Sequence, residues 1–462
     1  MAQPVITQNP TNYSVSIGAN VTFSVVVDPS SLPATYQWQK DSANLAEATD
    51  RLLTLTNVQP SLAGSYRVTV RNGSGSVTSE PGTLSVDNSF TKITSGPIVT
   101  EAGISVGCAW GDYNNDGWID LFVIRGSVLE KSQNMLYQNN GDGTFTKVTT
   151  GAVATDTSNS LGATWGDYDN DGRLDLFVAR AGGQTNALYR NLGDGTFTSV
   201  TSASFALRGG RTQAGVWGDF DNDGNLDLFL TGRDTSLNSL YQNSGNGTFV
   251  KVTQNVFGVL WSGNYRPGIW GDYDNDGDLD IFLISFASTS NWLFRNQGDG
   301  VFIPTNGGEA VVASSGSRGA AWADFDNDGD LDMFVANAVG RGNRLYQNNG
   351  NGTFSRLPAP TLPVSLANSA YPAWGDYDND GFIDLFVPNG ESTGDNNTLY
   401  HYNGDGTFNR VETGSLVNDA GHSVACGWAD FDNYGVHDLF VGNLPGETNF
   451  LFRSNGNENH WL

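Results

Sequence analysis

Residues 165–175 read Trp-Gly-Asp-Tyr-Asp-Asn-Asp-Gly-Arg-Leu-Asp, and close variants of this stretch occur six more times along the 462-residue chain. The tryptophans that open the copies are Trp110, Trp165, Trp217, Trp270, Trp322, Trp374 and Trp428, spaced 52 to 55 residues apart. Working outward, each copy is preceded by a strand such as Phe145-Thr-Lys-Val148 and a variable segment. It is followed by an apolar run such as Leu176-Phe177-Val178, then by Leu188-Tyr189-Arg190-Asn191 and a Gly193-Asp194-Gly195 turn. Four short strands per repeat, bounded by Gly, Asn and Asp, predict an all-β chain built as a seven-bladed β-propeller; a solenoid would need shorter repeats and capped ends. Phe90-Thr91-Lys92-Ile93 has the form of the strand after each turn but lacks the turn, and no such strand follows the last copy. The N-terminal strand is therefore expected to complete the last blade, which removes an open edge.

Residues 1–87 follow another pattern. Val21–Val25, Tyr36–Gln39, Leu53–Leu55, Ser65–Val70 and Thr83–Val86 alternate as the strands of a small sandwich. The segment resembles an immunoglobulin-like domain, with Trp38 as its core tryptophan and Gly64-Ser-Tyr66 as its tyrosine corner. Val25 and Val68 stand where that resemblance would place the bridging cysteines, so packing alone must hold the core. The expected organisation is an N-terminal immunoglobulin-like β-sandwich over 1–87, the propeller over 88–457, and the start of a truncated C-terminal segment over 458–462.

The acidic stretches align as Asp-x-Asp/Asn-x-Asp-Gly-x-x-Asp. Position 1 is Asp112, Asp167, Asp219, Asp272, Asp324, Asp376 and Asp430; position 3 is Asn114, Asp169, Asp221, Asp274, Asp326, Asp378 and Asp432. Position 5 is Asp116, Asp171, Asp223, Asp276, Asp328, Asp380 and, in the seventh copy, Tyr434. Position 9 is always aspartate: Asp120, Asp175, Asp227, Asp280, Asp332, Asp384 and Asp438. Oxygens at alternate positions converge when the chain coils tightly, and glycine at position 6 permits the turn. Position 7 scatters over Trp118, Arg173, Asn225, Asp278, Asp330, Phe382 and Val436, as expected if it supplies only a backbone carbonyl. A hard, oxygen-only set in a flexible loop selects Ca²⁺. An EF-hand would carry glutamate at position 12; here that position is apolar, as at Val123, so the loop joins two strands. Six structural calcium sites are expected. The seventh loop, with Asp430, Asp432, Val436 and Asp438 but Tyr434 at position 5, is expected to be weak or empty.

Charge supports this reading. The aspartates at positions 1, 3, 5 and 9 number 26, and the formal net charge is −26, with 49 acidic and 23 basic residues. Like charges about 4 Å apart repel by roughly 4 kcal/mol at an effective dielectric of 20, so these clusters must bind a cation or hold protons. The same charge argues against nucleic acid or an anionic membrane as partner. No apolar run approaches the roughly 18 residues of a membrane helix, and the start lacks the pattern of a signal peptide.

At these residues the chain resembles FG-GAP/VCBS-type calcium-binding repeats, including integrin α propeller relatives. The fuller unit, with Leu-Tyr-x-Asn-x-Gly-Asp-Gly-Thr-Phe, is similar to the cartilage acidic protein/UnbV-like group. The resemblance implies an extracellular or cell-surface, calcium-stabilised binding or adhesion module, monomeric, whose partner is a glycan or an extracellular protein. The alternative is an arm or catalytic domain of a secreted polysaccharide-active enzyme such as a lyase. The expectation is a non-catalytic chain: His401, His422, His437 and His460 show no metal-ligand spacing, and no catalytic triad or phosphate loop stands out.

The variable segments carry the side chains that the repeat does not explain. They include Arg208, Arg211, Trp261, Tyr265, Arg266, Arg318, Tyr371 and His422. The strand after each variable segment leads into an acidic loop, so the two must lie at opposite ends of it. Arg211, Tyr265, Arg266, Arg318, Tyr371 and His422 are accordingly the candidate ligand-binding residues, suited to a carboxylate- or sulfate-bearing ligand such as an acidic polysaccharide. Cys108 and Cys426 occupy a slot that is Ala163, Gly215, Gly268, Ala320 or Pro372 elsewhere, and are expected to remain free thiols.

Overall fold

The computed structural model describes residues 2–456, except 17, 206–210, 234–237, 254–264, 287–289, 299, 313–315, 339, 359–360, 364 and 391–393. Residues 457–462, including the expected C-terminal segment, and the candidates Arg208 and Trp261 lie outside the described residues. The chain divides into two compact units, residues 1–91 with 412–418, and residues 92–411 with 419–462. No helix among the described residues is long and apolar enough to cross a membrane.

The first unit is immunoglobulin-like. Trp38, Phe23 and Val68 are fully buried, with Val25 nearly so, and Tyr66 packs beside them. The Tyr66 hydroxyl donates to the Leu62 carbonyl at 2.6 Å, which forms the tyrosine corner. Phe23 stacks on Tyr66 with ring centroids 4.8 Å apart. Aromatic packing thus occupies the space beside Val25 and Val68.

The second unit is all-β. Among the described residues it contains seven four-stranded sheets, and the first six are meanders, such as Ser160–Gly166, Asp175–Arg180, Ala187–Asn191 and Phe197–Ser199; the first is interrupted by the short strand Ser132–Gln133, which pairs with Thr157–Ser158. The seventh contains Ser423–Ala429, Asp438–Asn443 and Phe450–Ser454, and its outer strand is Phe90–Lys92. Ile93 continues that pairing, its N–H donating to the Leu451 carbonyl at 2.8 Å. The sheets are therefore offset by one strand from the sequence repeat.

The second strand of each sheet is apolar on both faces because both are covered. Leu121 and Val123 pack with Phe440 and Leu451 of the seventh sheet, whereas Phe122 and Ile124 pack with Leu176 and Val178 of the second. Alternate residues of one strand thus serve two neighbours, and each fully buried Phe or Leu contributes about 1.5–3 kcal/mol. The repeating tryptophan adds a polar link. Its indole N–H donates backward to a backbone carbonyl of the preceding sheet: Trp165 to Ala109 at 3.1 Å, Trp270 to Val216 at 3.4 Å, Trp374 to Ala321 at 3.3 Å and Trp428 to Ala373 at 3.3 Å. Trp110 of the first sheet donates to Gly427 of the seventh at 3.1 Å. In five of the seven copies glycine follows the tryptophan and leaves the backbone bare beneath the next ring: a Cβ on Gly166 would lie 2.7 Å from the Trp217 ring.

Candidate metal centre

Each acidic loop joins the first strand of a sheet to the second. In the second loop, Asp167 accepts from the backbone N–H of Asp171 at 2.9 Å and of Gly172 at 2.7 Å, which winds the chain around its carboxylate. Gly172 takes φ of +82°, the conformation that position 6 requires. Asp175 is fully buried and accepts two backbone N–H groups, from Asn191 at 2.8 Å and Tyr168 at 3.3 Å. The equivalent aspartates of the other six loops accept the same pair of bonds. Position 9 therefore staples the loop to the third strand as well as offering oxygen.

Position 3 has a different environment. Oδ1 of Asp169, Asp221, Asp274 and Asp326 is buried and accepts no hydrogen bond. In the seventh loop both oxygens of Asp432 are in that state. A buried carboxylate oxygen without a donor is costly, and its recurrence at one position of the repeat fits a cation-binding role. The donor groups are close enough to share one ion: oxygens of Asp167, Asp169 and Asp175, of Asp219, Asp221 and Asp227, and of Asp324, Asp326 and Asp332 lie within 4.8 Å of one another in each set. Burial, reinforced by neighbouring carboxylates, pushes Asp120, Asp175, Asp227, Asp280 and Asp332 up to about 7, and Asp384 and Asp438 up to about 8. An oxygen-rich cluster that holds protons when bare suits a hard divalent cation.

Three features escape the sequence reading. Asn at position 4 takes φ near +56° in every loop, and in six of them its side chain reaches the next loop: Asn115 Nδ2 donates to the Gly172 carbonyl at 3.2 Å and Asn222 to that of Gly277 at 3.3 Å. The residue before the third-strand Asn also enters the loop of its own sheet. Arg190 places Nε 2.6 Å from Asp169, Arg295 places Nε 2.8 Å from Asp274, and the Gln242 and Gln347 amides donate to Asp221 at 2.5 Å and Asp326 at 2.8 Å. In the sixth repeat the same position is His401, with Nδ1 3.4 Å from Asp378 and 3.2 Å from Asp384; this corrects the expectation that no histidine joins a metal-ligand group. Finally, position 7 side chains are not idle. Asn225, Asp278 and Asp330 accept from Asn170, Asn222 and Asn275 at 2.9, 2.9 and 2.8 Å, while Arg173 bonds Asp171 of its own loop. Invariance of Asn at position 4 in all seven copies was the readable signal for the first of these features.

The other candidate residues separate. Arg266, Arg318 and Tyr371 line a cavity of ≈ 360 Å³ at the ends of the inner strands remote from the acidic loops. Tyr265 does not: as the first residue of its strand it points between sheets, 3% exposed, among Phe229, Leu240 and Ile281, so it is a core residue and not a ligand contact. His422 is held by Glu447, Nδ1 to Oε1 at 2.7 Å, and Arg211 is exposed; neither lines the cavity. Gln213 and Arg233 do, joined by a 3.0 Å bond from Arg233 Nη1 to Gln213 Oε1. Cys108 and Cys426 are free thiols, and burial pushes Cys108 up to about 12.

Fold and site together define an all-β repeat protein in which each repeat presents an acidic, cation-suited turn between two strands. A family model described as FG-GAP-like repeat matches residues 112–178, 169–230, 219–283, 272–335 and 324–387, and one described as immunoglobulin domain matches residues 3–72. The chain belongs to the FG-GAP-like repeat family. Cartilage acidic protein 1 of Homo sapiens is 30% identical over 194 residues, covering 38% of this chain and 29% of that protein. Its counterpart in Xenopus tropicalis is 28% identical over 183 residues, covering 37% of this chain and 28% of that protein. The chain thus spans less than a third of the length of these curated relatives. Among solved structures, rhamnogalacturonan lyase YesW aligns at 13% identity over 97% of this chain and 78% of its own, with a TM-score of 0.29. Titin M4 aligns at 24% identity over 18% of this chain and 95% of its own, with a TM-score of 0.16.

Proposed function

We propose that the chain is a calcium-stabilised extracellular binding module built on a seven-bladed β-propeller and preceded in sequence by an immunoglobulin-like domain. The observation that carries the calcium reading is the buried, donor-free Oδ1 of Asp169, Asp221, Asp274 and Asp326, one in each of four successive loops. Asp at positions 1, 3, 5 and 9 and the position 7 carbonyl would hold the ion, with Asn114 supplying an amide oxygen in the first loop. The ion supplies positive charge that offsets the mutual repulsion of the carboxylates. The backbone N–H groups bonded to positions 1 and 9 already hold those carboxylates in place, so little ordering remains when the ion enters. The ring is supported by the tryptophan bonds, which run from the second, fourth, sixth and seventh sheets to their predecessors and from the first to the seventh.

An extracellular setting is supported by the likeness to cartilage acidic protein 1 and by the immunoglobulin domain. Hard-oxygen loops of modest affinity, about 10⁻⁴ to 10⁻³ M, suit extracellular calcium. With the acidic ends of the strands committed to metal, the opposite ends are left to bind a partner, a glycan or an extracellular protein.

The test is metal analysis of the purified chain after dialysis against calcium, with thermal unfolding followed with and without chelator. Six bound ions per chain, a seventh site weak or unfilled, and a lower melting temperature in chelator are expected. Absence of bound calcium, or melting curves that coincide, would overturn the reading.

A further inference from the structure

We propose that the cavity remote from the acidic loops is a binding site for a ring-bearing organic oxyanion, a carboxylate or sulfate group on an apolar body. The inference rests on the binding-module reading and deepens it by naming the ligand chemistry.

Residues from six of the sheets, with Ala370 and Tyr371 from the segment that leads into the remaining one, meet in this cavity, so it is centred on the strand ends and is not a crevice between two loops. Its polar wall comes from three consecutive sheets: Gln213 and Arg233 from the third, Arg266 from the fourth and Arg318 from the fifth. Val106, Leu161, Val424 and Leu444, from the first, second and seventh sheets, supply an apolar wall. Among the described residues that line it there is no aspartate or glutamate, in a chain with 49 acidic residues against 23 basic ones. Tyr371 lies next in sheet order after Arg318 and offers a ring beside the charged wall.

The guanidinium groups are held in place before any ligand arrives. Arg266 and Arg318 both pack on the Phe286 ring, their guanidinium carbons 4.7 and 5.3 Å from its centroid. Arg266 Nε is buried and makes no hydrogen bond. Burial and the adjacent charge of Arg266 pull Arg318 down to about 10. Two positive groups sharing one aromatic ring in a partly dry wall repel each other, and an oxyanion between them relieves that repulsion while accepting paired N–H bonds. A bare inorganic anion would leave the apolar wall wet. A neutral apolar ring would leave the guanidinium wall unmatched. The volume, ≈ 360 Å³, is at the lower end of small-ligand pockets, which run about 300–1,000 Å³. It suits one or two rings and excludes a folded partner.

The experiment is calorimetric titration of the full chain in calcium with 4-nitrophenyl sulfate, 4-nitrobenzoate, 4-nitrophenol and sodium sulfate. One site per chain is expected, with at least one aryl oxyanion bound about tenfold or more tighter than either the phenol or inorganic sulfate; the ranking of the two aryl anions distinguishes sulfate from carboxylate. Arg266→Gln and Arg318→Gln should each weaken that binding by about tenfold, with the calcium count and melting temperature retained. Equal binding of all four probes, no binding, or binding unchanged in both variants would overturn the proposal. If a variant does not fold by circular dichroism, a salt titration of the unaltered chain decides, since affinity independent of ionic strength would also overturn it. A melting curve with and without chelator separates the readings: calcium without effect on melting counts against the metal, while absent selectivity for aryl anions in the calcium-loaded, folded chain counts against the cavity.

Discussion

Asn433, at position 4 of the seventh acidic loop, donates its side-chain amide to the carbonyl of Gly117 in the first loop at 3.1 Å. The same bond joins the second loop to the third, from Asn170 to Gly224 at 3.4 Å. The link between residues 316 positions apart in sequence is therefore built like the link between neighbours.

Asn433→Ala should cost about 1–2 kcal/mol of unfolding free energy, because it removes the bond and forces a side chain without local hydrogen bonding into φ of +56°. Asn222→Ala should cost a similar amount. Urea unfolding of both variants checks this; a null effect at Asn433 with a normal one at Asn222 would mean that the first and last loops do not meet in solution.

Calcium should raise stability additively across loops. At 10 mM calcium and a dissociation constant of about 10⁻⁴ to 10⁻³ M, each filled site contributes about 1.4–2.7 kcal/mol. Asp326→Asn, which gives the fifth loop the position 3 amide that Asn114 supplies in the first, should weaken calcium there by about tenfold without emptying the site at 10 mM calcium, and leave the calcium-free melting temperature unchanged or higher.

The pH dependence follows from the position 9 aspartates, held by burial at about 7 to 8. Their folded values lie above the unfolded one near 4, so between about pH 4 and 8 the folded chain binds more protons, and calcium-free stability falls as pH rises. With calcium the ion takes the place of the protons, so the stabilisation by calcium should grow over the same window. Melting scans from pH 4.5 to 8.5 with and without chelator check both signs.

The third-strand arginines should divide the sites into two classes. Arg190 lies 2.6 Å from Asp169 and 3.2 Å from Asp171, where it competes with a cation, whereas Gln242 donates to Asp221 without adding charge. Arg190→Gln should tighten calcium at the second loop by about tenfold, and Gln242→Arg should weaken the third loop by as much. Terbium luminescence titration of the two variants reads the change.

Much of this was legible because a repeat averages out local noise. Trp165 and the spacing of Asp167, Asp169, Asp171 and Asp175 announce both the strand and the turn that follows it. What sequence could not show was direction. Tyr265 and Arg266 are adjacent in the same variable segment, yet the strand sends one ring into the core and the other side chain toward the cavity, and only the first residue of the strand sets which is which. Arg190 and His401 sit in the middle of ordinary strands, so their reach into an acidic loop depends on a strand pairing that no local pattern reports.

The outer strand of the seventh sheet is Phe90–Lys92, and its partner is Phe450–Ser454. Every other outer strand follows its partner after a short turn. On a growing polypeptide, the strand at residues 90–92 is synthesised before all of the first six sheets and must wait for the last repeat to leave the ribosome. Closing so long a segment is the slowest kind of contact to form. The seventh sheet is thus the step that separates a row of locally folded repeats from the finished unit, and holding the nascent Phe90 edge in reserve is the task that any chaperone of this chain would have to perform.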